Sequence, residues 1–198
     1  MTMDIIMATG NSNKVREIRE MLDGSDLNII SMKDAGIDVE IIEDGLTFED
    51  NARIKAETVR DACGKIVIAD DSGLEIDFLG GEPGIHSSRF MGEDTSYDIK
   101  NAALLEKLDG VPDEKRSARF ICAMAIAYPD RKTSVFRGVF EGRIAYKSAG
   151  ENGFGYDPIF YLPERGCTSA ELLPEEKNSI SHRGQALKMA VEELQKLV

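Results

Sequence analysis

The chain has 198 residues, 42% of them hydrophobic and 30% charged, which suits a soluble globular protein with one core or two smaller ones. Its net charge of −12 argues against a broad nucleic-acid-binding surface, which needs clustered Lys and Arg, but not against a small anionic ligand in a locally basic pocket or one bridged by a divalent cation. No apolar run approaches the ~18 residues of a membrane helix, and Cys63, Cys122 and Cys167 have neither metal-ligand nor disulfide spacing, which points to a reducing cytoplasm.

In chain order, Asp4 to Ala8 reads as a short buried strand and Asn11 to Leu22 as a helix, with Val15, Ile18, Met21 and Leu22 on one face. Leu27 to Ser31 is a second strand. Thr47 to Cys63 is a second helix: Thr47 and Asp50 resemble a capping box, and Phe48, Ala52, Ala56, Val59 and Cys63 form its apolar stripe. Ile66 to Ala69 reads as an apolar strand ending at Asp70-Asp71, with Leu74 to Phe78 a further extended segment and Gly80 to Gly84 a turn. Tyr97 to Leu108 reads as a helix. Ala118–Ala127 and Thr133–Ile144 form a long antiparallel pair. Ser181 to Leu197 is a final helix with Leu187, Ala190, Val191, Leu194 and Leu197 facing inward. The order implies a mixed-sheet α/β protein without repeats or a long linker.

Four segments carry chemistry. In Thr9-Gly10-Asn11-Ser12-Asn13-Lys14 a glycine turn follows a strand and opens a helix. Free N–H groups there bind anions, and Lys14 adds a point charge for phosphate. An ordinary strand-to-helix turn capped by Thr9 or Asn11 reads the same. In Asp70-Asp71-Ser72-Gly73 two carboxylates sit at the end of a strand, where α/β sheets bind ligands. Adjacent side chains on extended backbone point opposite ways, so the two acids have different tasks, one of them holding Mg²⁺; a solvated turn is the alternative.

In Gly153-Phe154-Gly155-Tyr156-Asp157-Pro158, Phe154 or Tyr156 can stack on a base and Asp157 can accept from ring N–H groups. The aromatics can equally pack on a core. Near the C-terminus, Ser181 is a natural helix cap, which puts His182 and Arg183 in the first turn, where cations oppose the dipole and a ligand can compensate. The alternative is a surface loop with incidental basic residues.

Taken together, T-G-N-x-x-K, A-D-D-S-G-L, G-G-x-P-G, G-F-G-Y-D-P and S-H-R-G, in this order from about Ile5 to Leu187, resemble the inosine triphosphate pyrophosphatase family of non-canonical purine nucleotide hydrolases. The resemblance implies an elongated α/β fold with a long mixed β-sheet flanked by helices, formed as one domain over 1–198. It also implies two lobes around a central active-site cleft, and a homodimer. The implied reaction converts ITP, dITP or XTP to the monophosphate and pyrophosphate. Mg²⁺ would be the cofactor, with Mn²⁺ an alternative. No nucleic acid and no membrane would be partners.

Residue by residue, the resemblance puts the triphosphate on Thr9, Gly10, Asn11, Ser12, Asn13, Lys14 and Lys55. Asp71 would be catalytic and a metal ligand. Glu43, or Glu40 on looser matching, would be a second ligand, and Asp70 a further metal or water-positioning group. Ser72, Phe154, Gly155, Tyr156, Asp157 and Lys177 would line the nucleoside and phosphate pocket. His182 and Arg183 would face the purine 6-oxygen. Arg183 can only donate, so adenine's amino group would be disfavoured there.

Overall fold

The computed structural model describes residues 2–197, without the side chain of Leu197, so the expected inward packing of Leu197 lies outside the described residues. The strands are β1 (Met3–Met7), β2 (Leu27–Ser31), β3 (Val67–Ile76), β4 (Ser117–Ala127), β5 (Ser134–Ile144), β6 (Phe160–Leu162) and β7 (Cys167–Thr168). The helices are α1 (Ser12–Met21), α2 (Phe48–Cys63), α3 (Tyr97–Lys107), α4 (Pro174–Ile180) and α5 (His182–Leu194). The strands form one mixed sheet in the order β2-β1-β3-β4-β5-β6-β7. β1 is parallel to β2 and β3, whereas β6 is antiparallel to β5 and β7.

The chain divides into two compact units. The first holds 1–71, 122–138 and 182–198; the second holds 72–121 and 139–181. In the first, β1-α1-β2 is the crossover that parallel pairing requires. Its core joins Ile5, Met7, Ile18, Ile29, Ile68, Met124, Ile126 and Leu187. In the second, Leu74, Ile76, Leu104, Phe120, Phe140 and Phe160 form a separate core.

The expected helix starts are present. Asn11 accepts from the N–H groups of Asn13 and Lys14, and Thr47 accepts from that of Asp50, while Gly64 closes α2 in the left-handed conformation. Two readings are corrected. β3 does not end at Asp70-Asp71 but runs unbroken through them to Ile76. Each acid finds cations in place of water, so a strand interior tolerates both. The segment before Ser181 is not loop: Pro174 begins the short helix α4, and Ser181 stands between it and α5.

Candidate active site

In the first unit, the turn at Thr9-Gly10-Asn11 is shaped by its own side chains. Thr9 Oγ1 accepts from the Asn11 N–H at 3.1 Å, and Asn11 Oδ1 caps α1. Gly10 and Ser12 are exposed; Thr9, Asn11, Asn13 and Lys14 are half-buried. One turn into the helix, Lys14 Nζ lies 2.9 Å from Asp70 Oδ2.

Asp70 and Asp71 are neighbours on β3 with different partners, as strand alternation requires. Asp70 Oδ2 also accepts from Arg183 Nη2 at 3.2 Å, and Arg183 Nη1 donates to Glu17 Oε2 at 2.5 Å. Burial opposes ionisation of Asp70, but Lys14, Arg183 and Lys55 outweigh it and hold the carboxyl well below the usual range. Burial likewise works against the Arg183 charge, yet Asp70 and Glu17 raise its pKa further.

Asp71 meets α2 instead. Its Oδ1 accepts from Lys55 Nζ at 3.0 Å, and its Oδ2 accepts weakly from Asn51 Nδ2 at 3.4 Å. Lys55 Nζ also lies 3.0 Å from Glu43 Oε2. Burial pushes the Asp71 carboxyl above the ordinary value, against the pull of Lys55 and Lys14 and with help from Glu43. Burial disfavours the Lys55 ammonium, but Asp71, Asp70 and Glu43 prevail and hold it charged.

Among the described residues no group of three Asp, Glu, His or Cys converges as a metal cage. Glu43 and Asp71 nevertheless bring two carboxylates to within 3.0 Å of one position, the Lys55 nitrogen. Two carboxylates completed by substrate phosphates and water suit Mg²⁺, which rarely has an all-protein cage. The donor set therefore fits that ion. Of the two acids considered for the second ligand, Glu43 is the one that joins this cluster, through Lys55. Asp70 is held by Lys14 and Arg183.

The second unit carries the remaining predicted residues. Asp157 is buried: its Oδ2 accepts from Lys177 Nζ at 2.6 Å and from the Phe154 N–H at 2.9 Å, and its Oδ1 accepts from Ser169 Oγ at 3.0 Å. Asp157 thus organises its own loop and ties it to Lys177 and Ser169. Gly153 is required here. Its φ is +73°, and an added Cβ would lie 2.2 Å from Asp157 Oδ2.

Tyr156 departs from expectation. It is only 3% exposed, its hydroxyl donates to the Ser87 carbonyl at 2.6 Å, and its ring meets Tyr97 edge-on. A ring so enclosed packs the core and offers no face to a base. Phe154 is half-buried, with Lys177 Nζ 5.3 Å from its ring centre. Gly155 accepts from Asn101 Nδ2 through its carbonyl, and Ser72 is half-buried on β3. His182 and Arg183 open α5 in the first unit, and both are buried.

Sequence reading missed Glu17, Asn51, Asn101 and Ser169. Two of them carried a signal. Glu17 follows Lys14 by three residues and Asn51 precedes Lys55 by four, the spacings that share a helix face.

The model of the Ham1 family matches residues 5–193. The chain is 50% identical to the dITP/XTP pyrophosphatase of Geobacillus kaustophilus, across 98% of this chain and 96% of that one. The Ham1 protein of Staphylococcus aureus has a similar structure, with a TM-score of 0.88 at 40% identity, covering 99% of this chain and all of that one. A dITP/XTP pyrophosphatase structure from Mycobacterium abscessus gives 0.75 at 41% identity, covering 95% and 98%. No helix among the described residues is long and apolar enough to cross a membrane. The chain belongs to the Ham1 family.

Proposed function

We propose that this protein hydrolyses non-canonical purine nucleoside triphosphates, dITP, ITP and XTP, to the monophosphate and pyrophosphate. The observation that carries the reading is the convergence of Glu43 and Asp71 on Lys55, beside the Lys14-bearing turn, in a chain half identical to a dITP/XTP pyrophosphatase.

The turn at Thr9–Asn13 and the ammonium groups of Lys14 and Lys55 hold the triphosphate. Glu43 and Asp71 would hold Mg²⁺, which when bound would neutralise charge on the phosphate chain. Asp71, whose carboxyl is pushed upward by burial, accepts the proton of the attacking water. A bond forms from the water oxygen to the α-phosphorus, and the bridging oxygen leaves with its electron pair as pyrophosphate. Lys14 and Lys55 stabilise the charge that develops there. Asp70 serves first as the counter-ion that orients Lys14 and Arg183.

His182 and Arg183 discriminate at purine position 6, where a keto oxygen draws a guanidinium N–H of Arg183 away from Glu17 or Asp70. The protein works as a homodimer in the cytoplasm, as the resemblance implies; its mass in solution checks the dimer. The test of the activity is release of pyrophosphate and orthophosphate from ITP, XTP, GTP, ATP and dTTP, with Mg²⁺ and with chelator. Metal-dependent pyrophosphate from ITP and XTP, with little from ATP, is expected. Orthophosphate as the product refutes the mechanism, and no release refutes the function.

A further inference from the structure

We propose that Lys55 is a built-in counter-ion that closes the Glu43–Asp71 pair to a bare divalent cation and yields it only when phosphate oxygens arrive to take the ammonium. This rests on the reading of the site as one for a metal-bound triphosphate. Its consequence is an order of loading: the cation enters with the nucleotide, not before it.

Lys55 Nζ stands 3.0 Å from Glu43 Oε2 and 3.0 Å from Asp71 Oδ1, so it fills the position where both carboxylates meet. Its side chain is 9% exposed, and lysine is a cation at neutral pH. A metal ion taking the two carboxylates has to displace that ammonium. Alone, it would strand a buried positive charge beside a second one, which is costly in a poorly solvated site. A triphosphate removes the penalty because its oxygens become the new partners of Lys55. Asn51 keeps the acids in place during the exchange: its Oδ1 accepts from the N–H of Gly45, two residues after Glu43, at 2.9 Å, while its Nδ2 donates to Asp71.

The test is binding of Mn²⁺ alone, followed by electron paramagnetic resonance, to the parent and to Lys55→Met and Lys55→Arg. Without nucleotide, Lys55→Met should bind Mn²⁺ at least about tenfold more tightly than the parent, and Lys55→Arg should stay weak. In the parent, inorganic tripolyphosphate should bring Mn²⁺ onto the protein. Equal or weaker binding by folded Lys55→Met overturns the proposal, and so does tight binding of Mn²⁺ alone by the parent.

If Lys55→Met does not fold, the side-chain nitrogen resonance of Lys55 in the parent decides. It should stay put with Mg²⁺ alone and move with Mg²⁺ plus tripolyphosphate; movement with Mg²⁺ alone overturns the idea. Pyrophosphate release from ITP by the parent is measured alongside. With that activity intact, a negative binding result sinks only the role of Lys55; without it, the functional reading itself fails.

Discussion

Replacing Asp70 by Asn should cost stability in a way that depends on pH with a definite sign. The Asp70 side chain is fully buried, with Lys14 at 2.9 Å and Arg183 at 3.2 Å. Asn removes the charge and keeps the shape, leaving those cations short of a counter-ion. Breaking a buried pair from one side costs about 3–5 kcal/mol. Asn still offers a neutral acceptor, so the lower end, about 3 kcal/mol, applies. For a chain of this length that is a fall in Tm of about 6–12 °C.

The sign follows from linkage. The folded carboxyl titrates well below its unfolded value because Lys14, Arg183 and Lys55 outweigh the burial that opposes its charge. Its contribution is therefore complete above the unfolded pKa of about 3.9 and is lost as pH falls from there toward the folded value. Thermal unfolding of parent and Asp70→Asn, followed by circular dichroism in chelator at neutral pH and in steps down to about pH 3, reads this directly. The gap should be largest at neutral pH and should shrink below about pH 4. Equal Tm values at neutral pH, or a gap unchanged down to about pH 3, would refute the reasoning.

Asp71→Asn should keep the fold and lose about 100-fold or more in kcat on ITP; full turnover by the folded variant contradicts its assignment. Burial raises the Asp71 carboxyl, so its charge is least favourable above the folded pKa, and the variant should unfold no lower than the parent at neutral pH by differential scanning fluorimetry. Arg183→Ala removes the guanidinium between Glu17 and Asp70. It should cut the kcat/KM ratio of ITP to ATP by about tenfold or more, whereas equal proportional losses argue against base reading. Gly138→Ala places a Cβ 2.0 Å from the His182 carbonyl oxygen and 2.9 Å from the Ala186 nitrogen, so α5 must shift. A loss of about 1–3 kcal/mol in urea unfolding and a raised KM for ITP are expected; a parent-like variant shows that the start of α5 is not held there.

Much of the fold was legible because its signals are local. The cap at Thr47, the apolar stripe of α2 and the turn at Gly10 each depend on residues within one or two turns of chain, and all appear as read. Asp70 and Asp71 were legible as a pair with divided tasks, since alternation on a strand is a local rule. The ordered set of short motifs was enough to indicate the family.

The partners of those residues were decided by tertiary structure. Asp71 reads as a strand end until α2 delivers Lys55 and Asn51 to it. Arg183 reads as a surface cation until Glu17 and Asp70, 166 and 113 residues away, enclose it. Tyr156 reads as a stacking ring until Ser87 and Tyr97 bury it. Composition and periodicity determined which residues leave water and which helices and strands form. Whether a buried charge is tolerable depends on a counter-charge within about 3–4 Å, and only the folding of distant segments onto one another brings that counter-charge near.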